Sequence, residues 1–127
     1  MYNDSMVRDE LLTEARKFIP DCDYIVDLFD LRFQWASEKV VQETGFSMEE
    51  LLNMRNIDIV SDKYDEAQLR RELIERITKG QGEKEYIIKS KNKGDLLCDF
   101  AYHSFSFDGV WYMVGKIIKF SPVSQPV

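Results

Sequence analysis

Histidine and cysteine serve acid–base, nucleophilic and metal chemistry most often, and this chain of 127 residues holds one histidine and two cysteines. His103 has a carboxylate, Asp99, four residues away on the same side of a strand pattern. Four strand residues separate the two Cα atoms by about 13 Å, beyond direct hydrogen-bond reach of the side chains. One imidazole cannot build a convincing Ser-His-Asp set with the residues around it, and no glycine-rich phosphate loop occurs. Cys22 and Cys98 lie far apart, and no two His or Cys residues stand at ligand spacing, so no metal site is expected. Asp27 and Asp30 read as strand-end and turn residues. No catalytic residue is assigned, and a small α+β enzyme is the weakest reading.

The bulk of the sequence narrows the remaining classes. Hydrophobic residues make up 44% and charged residues 31%, the balance of one folded domain with its own core. A net charge of −6 argues against direct nucleic-acid binding, because phosphate contacts require clustered Lys and Arg. The two cysteines read as reduced thiols. No stretch approaches the ~20 apolar residues of a membrane helix, and the acidic, polar start from Met1 to Glu10 does not read as a signal peptide. The expected location is cytoplasmic, with no membrane partner.

Periodicity then gives the elements. Residues 1–20 read as an amphipathic helix capped at Asp4 or Ser5, with Val7, Leu11, Leu12, Ala15 and Phe18 on one stripe and a stop at Pro20. Tyr24 to Phe29 and Phe33 to Ala36 read as strands around an Asp30-Leu31 turn. Ser37 caps a short helix that Gly45 ends, and Ser47-Met48-Glu49-Glu50 is a capping box between Phe46 and Leu51. A longer helix is predicted from Lys63 to Lys79, capped by Ser61 or Asp62 and closed by Gly80. Its expected apolar stripe is Leu69, Leu73 and Ile77 with Ile74 alongside, and Glu66–Arg70 and Glu72–Arg76 are expected as pairs on the wet side. Three strands follow: Lys84 to Lys91, Leu96 to Phe107 and Val110 to Phe120. Asn92-Lys93-Gly94 joins the first two, and Asp108-Gly109 makes a tight hairpin between the last two. The core domain is placed at 21–120 and a tail or linker at 121–127.

This order is an α+β pattern with an antiparallel sheet and helices on one face, and it resembles the PAS family over Tyr24 to Phe120. Thr44-Gly45-Phe46-Ser47-Met48-Glu49-Glu50-Leu51-Leu52, Gly80 at the end of the long helix and Asn92-Lys93-Gly94 are similar to family segments. So are Phe107-Asp108-Gly109 and Tyr112-Met113-Val114-Gly115 in the final hairpin. The resemblance implies a five-stranded antiparallel sheet of order 2-1-5-4-3 around a small cavity. It also implies a sensory or protein-interaction role in signal transduction, as input to a histidine kinase of a two-component system, a cyclic-dinucleotide enzyme or a transcription regulator. Such domains often end on an Asp-x-Thr that leads into an output helix; here Lys119-Phe120-Ser121-Pro122 stands instead, which shifts attention to the N-terminal helix.

Cofactor expectations follow from the same resemblance. Haem-binding members supply a histidine from the long helix, whereas His103 lies in a strand on the face assigned outward. The light-sensing flavin branch needs a cysteine where Ile57 to Tyr64 has none, and it presents an amide where Cys98 faces inward. Neither haem nor a flavin photo-adduct is expected. By strand alternation and family analogy, Cys98, Phe100, Tyr102, Met113, Gly115 and Ile117 should face a possible pocket, Gly115 leaving room at its floor. Its ligand would be small and apolar or aromatic, and a volume of ~300 Å³ or more would favour a ligand over a filled core. The alternative is a purely structural homodimerisation domain without ligand. The outer face (Leu97, Ala101, Phe105, Tyr112, Val114, Ile118) and the N-terminal stripe (Val7, Leu11, Leu12, Ala15, Phe18) both need cover, within the chain or across a homodimer.

Overall fold

The computed structural model describes residues 4–123, with side chains from residue 8 onward. Its elements are α1 (Asp4–Ala15), β1 (Tyr24–Asp27), β2 (Phe33–Ala36), α2 (Glu38–Thr44), α3 (Met48–Leu52), α4 (Asn56–Ile59), α5 (Glu66–Lys79), β3 (Gln81–Ile88), β4 (Leu96–Phe107) and β5 (Val110–Pro122). The five strands form one antiparallel sheet of order β2-β1-β5-β4-β3. This is the expected order. The β4–β5 hairpin turns through Asp108 (φ 51°) and Gly109 (φ 78°), two successive left-handed residues that match the right-handed twist of the flanking strands.

The capping signals read from sequence are present. Ser47 N–H donates to Glu50 Oε1 at 3.1 Å, and Glu50 N–H donates to Ser47 Oγ at 3.1 Å. Ser37 Oγ accepts from Val40 N–H at 3.4 Å, and Gly45 (φ 78°) ends α2. Several boundaries differ from expectation. β1 stops at Asp27 because its Oδ1 accepts from Phe29 N–H at 2.7 Å and folds the chain over, leaving Phe29 93% exposed. α5 starts at Glu66, since Asp65 Oδ2 and not Ser61 or Asp62 accepts its capping bond, from Gln68 N–H at 3.3 Å. β3 occupies Gln81–Ile88, three residues earlier than expected, beginning directly after Gly80. α1 passes at Ala15 into turn bonds such as Phe18 N–H to Ala15 O at 3.0 Å, the tightening common at helix ends. The expected cap at Asp4 is itself the first helical residue. Ser121 and Pro122, expected in the tail, pair with Leu97 and Leu96 as the last residues of β5; residues 124–127 of that tail lie outside the described residues.

The sheet separates two apolar clusters. Its inner face, with Tyr24, Val26, Phe33, Tyr86, Ile88, Cys98, Phe100, Tyr102, Met113 and Ile117, packs against Val40, Leu51, Ile57, Ile59, Leu69 and Leu73 from the helices. On the outer face, Ile25, Phe105 and Val114 pack with Leu11 and Ala15 of α1 and with Cys22. α1 thus covers part of the outer face, while Ile118 stays 48% exposed. Asp23, nearly fully buried, ties three elements together: its carboxylate accepts from Ile117 N–H at 2.7 Å and from Ser37 Oγ at 2.8 Å. Among the described residues no helix is long and apolar enough to cross a membrane.

Candidate functional site

Between the inner face and the helices lies a cavity of about 80 Å³. Its sheet wall is Tyr24, Phe33, Tyr86, Cys98, Phe100, Met113 and Ile117, and its helical lid comes from α4 and α5 with Val40 of α2. Of the six residues expected to line a pocket, Cys98, Phe100, Met113 and Ile117 do so. Tyr102 and Gly115 do not. The space above Gly115 is taken by the Tyr24 ring, into which a Cβ at position 115 would collide, so this glycine admits an aromatic and not a ligand. The Tyr102 hydroxyl end likewise lies over Gly82. The volume falls well below ~300 Å³, so the aromatic side chains fill most of the space, yet more than one water-sized molecule fits.

The polar residues of this site come from the helices. Arg76 of α5 is only 4% exposed. Its position follows from the helix period: three residues beyond Leu73 and seven beyond Leu69, it shares their buried side, while Ile74 is 63% exposed. The expected pairing with Glu72 on the wet side is therefore corrected. Arg76 Nη2 donates to the Tyr86 hydroxyl, and that hydroxyl donates to Glu72 Oε2 at 2.7 Å. The Glu66–Arg70 pair does lie on the wet side, at 3.6 Å. The guanidinium carbon sits 5.0, 5.4 and 5.6 Å from the ring centres of Tyr86, Phe100 and Tyr102, within cation–π range. Burial pushes the Tyr86 hydroxyl well above the usual phenol value, the nearby Arg76 charge opposing it in part.

α4 contributes Asn56. Its backbone N–H donates to Leu31 O at 2.7 Å, and Asp58 holds the turn by accepting from Arg55 N–H at 3.0 Å. Asn56 and Arg76 both line the cavity, and each has a buried polar atom without a partner among the described residues: Asn56 Oδ1, an acceptor, and Arg76 Nε, a donor. Neither residue was singled out from sequence. An arginine on the buried side of an apolar stripe is the signal that could have found one; a four-residue helix carries no period that could have found the other.

The remaining candidates have structural surroundings. Cys98 is buried, and its thiol is pushed up to about 12, chiefly by burial and then by Asp99 and Asp23. His103 Nδ1 lies 2.8 Å from Ser104 O, and Phe18 covers the imidazole with ring centres 4.6 Å apart. Asp99 pairs across the sheet with Glu85, whose carboxyl it raises. On the outer face Leu11, Ala15, Phe105 and Val114 are buried, Leu12, Ala101 and Tyr112 half-buried, and Phe18 and Ile118 exposed. The Val7 side chain lies outside the described residues.

No family model matches the chain, and no curated protein matches it in sequence. Solved structures do. A PAS domain from a two-component sensor histidine kinase is 15% identical with a TM-score of 0.62, covering 86% of this chain and 96% of that one. A PAS domain from Desulfitobacterium hafniense is 17% identical with a TM-score of 0.64, covering 79% and 94%. The PAS-B domain of Drosophila melanogaster Cycle, solved with bound glycerol, is 14% identical with a TM-score of 0.62, covering 77% and 95%. With its 2-1-5-4-3 sheet, its helices over one face and these structural neighbours, the chain has the PAS fold.

Proposed function

We propose that this chain is a sensory and protein-interaction module of signal transduction, a binding domain without catalytic activity of its own. The observation that carries the reading is the cavity beneath α4 and α5, lined by Asn56 and Arg76, each of which keeps one buried polar atom without a partner among the described residues. Buried polar groups are normally satisfied, and orphaned ones cost stability; here a small occupant would satisfy them. The occupant would bear on the lid helices, and the state of the lid would be the signal passed to a kinase, a cyclic-dinucleotide enzyme or a transcription regulator. One structural neighbour belongs to a sensor histidine kinase, which supports the first of these outputs.

Native mass spectrometry of the purified chain tests the reading. The expected result is one small adduct per chain, from the cell or after incubation with small metabolites, which is lost in Cys98→Leu where the larger side chain fills the cavity. Wild-type protein that never carries an adduct under either condition would sink the sensory reading and leave a filled interaction domain.

A second reading, homodimeric pairing, is favoured by Phe18 and Ile118, large apolar side chains that remain 41% and 48% exposed. Light scattering of Ile118→Glu against wild type tests it: a lower mass in the variant is expected, and equal monomeric masses would exclude pairing through this residue.

A further inference from the structure

The chemistry of the two orphaned atoms defines what would satisfy them. Arg76 carries a permanent positive charge, and among the described residues no carboxylate oxygen stands within 4.0 Å of it. Its charge is met only by three aromatic ring faces and by the Tyr86 hydroxyl that relays to Glu72. Nε and Nη2 lie along one edge of the guanidinium plane, the edge that receives a carboxylate through two parallel bonds. Nη2 has two N–H groups and gives one to Tyr86, so Nη2 keeps a second donor beside the unpartnered Nε. Asn56 Oδ1 accepts and cannot donate, so the occupant must itself bring an N–H or O–H. The rest of the lining is hydrocarbon or aromatic, as at Leu69, Leu73, Ile88 and Ile117, apart from Cys98, Tyr24 and Tyr86, which carry polar groups of their own.

Accepting the cavity as a ligand site, we propose that it binds a small apolar carboxylic acid bearing a hydroxyl or amino donor. The acid exceeds the closed cavity of about 80 Å³, so α4 and α5 shift outward to admit it: its carboxylate meets the Nε–Nη2 edge of Arg76, its donor meets Asn56 Oδ1, and its hydrocarbon body packs on the aliphatic wall. Specificity divides accordingly: Arg76 selects the anion, and Asn56 selects the substituted acid over the plain one.

The test is a nitrogen–proton correlation titration of the full chain with four probes: 2-hydroxyisovalerate, isovalerate, isovaleramide and isoamyl alcohol. The Arg76 Nε–H resonance is assigned by its absence in Arg76→Lys, which keeps the charge and removes the fork. Both acids are expected to move this resonance downfield, and the amide and the alcohol to leave it in place. Arg76→Lys should weaken the acids about tenfold or more, the loss of a charge-assisted hydrogen bond. Asn56→Leu should retain isovalerate binding and erase the advantage of the hydroxy acid; it also carries the test should Arg76→Lys fail to fold. Binding of the alcohol as tightly as the acids, with the Nε–H resonance unmoved, would overturn the carboxylate assignment while leaving a site for neutral ligands. Absence of binding by all four probes would overturn the assignment and remove the support for a ligand site together.

Discussion

Helices pack on both faces of the sheet, but in opposite ways: α1 covers part of the outer face, and α2 to α5 cover the inner. On the outer face α1 lays Leu11 and Ala15 onto Ile25 and Val114, and Phe18, Phe105 and Tyr112 stack in series with ring centres 5.3 and 5.7 Å apart. On the inner face the lid is built from α4, of four residues, and the longer α5, with Val40 of the seven-residue α2 beside them. It encloses a cavity, a buried arginine and two unsatisfied polar atoms. A face partly covered by one helix over stacked aromatics is suited to fixing the sheet or meeting another protein. A face covered by several helices, each held by its own cap, can admit an occupant and respond to it.

Removing residues 1–18 should break the comparison most severely. It strips the buried Leu11 and Ala15 from the sheet and leaves Ile25, Phe105 and Val114 open. Losing this cover should cost at least about 3 kcal/mol of burial and drive self-association, read by denaturant unfolding and light scattering. A truncated chain with unchanged stability and mass would show that α1 does not cover this face.

A smaller effect comes from enlarging one side chain on each face. Ala15→Leu forces extra volume into a fully buried contact and should cost about 1–3 kcal/mol. Cys98→Leu grows into the cavity and should change stability by less than about 1.5 kcal/mol. Equal penalties in chemical unfolding would mean that the inner face is packed as tightly as the outer.

A third effect is a pH dependence carried chiefly by the inner face, although Cys22 and Tyr112 on the outer face are also raised by burial. The buried Cys98 thiol is raised from 9.0 to about 12, so between those values the unfolded chain has lost a proton that the folded chain keeps. The stability from keeping Cys98 neutral is complete below pH 9 and is lost as the pH rises towards 12; Tyr24 and Tyr86, also raised by burial, act in the same direction. Melting temperatures should fall across this window and fall less steeply in Cys98→Val. Identical slopes in the two proteins would remove Cys98 from the account.

The sheet order was legible only through the resemblance to the PAS family; the capping box at Ser47, the hairpin at Asp108-Gly109 and the two faces of β4 were legible directly. Each of these three is set by local chemistry: a side-chain cap, a positive φ, or a period of two residues. The site was legible only on its strand side, at Cys98, Phe100, Met113 and Ile117. Gly115 misled because the aromatic filling its space, Tyr24, is its cross-strand partner on β1, far from it in sequence. Arg76 misled because a Glu–Arg pair at i,i+4 is ordinarily a solvated surface pair. Its place three residues beyond Leu73 and seven beyond Leu69 marked it for the buried side, but its partner, Tyr86 of β3, is set by the tertiary fold. Asn56 belongs to a helix of four residues, too short for any periodic signal.

The central claim is that the inner face holds a buried cation whose free edge awaits an occupant. An electron-density map of the purified protein around Arg76 is its most direct test. The account predicts ordered density against Arg76 Nε and Asn56 Oδ1, with Glu72 linked to the guanidinium through Tyr86 alone. A direct Arg76–Glu72 ion pair over a collapsed, fully packed cavity would contradict it.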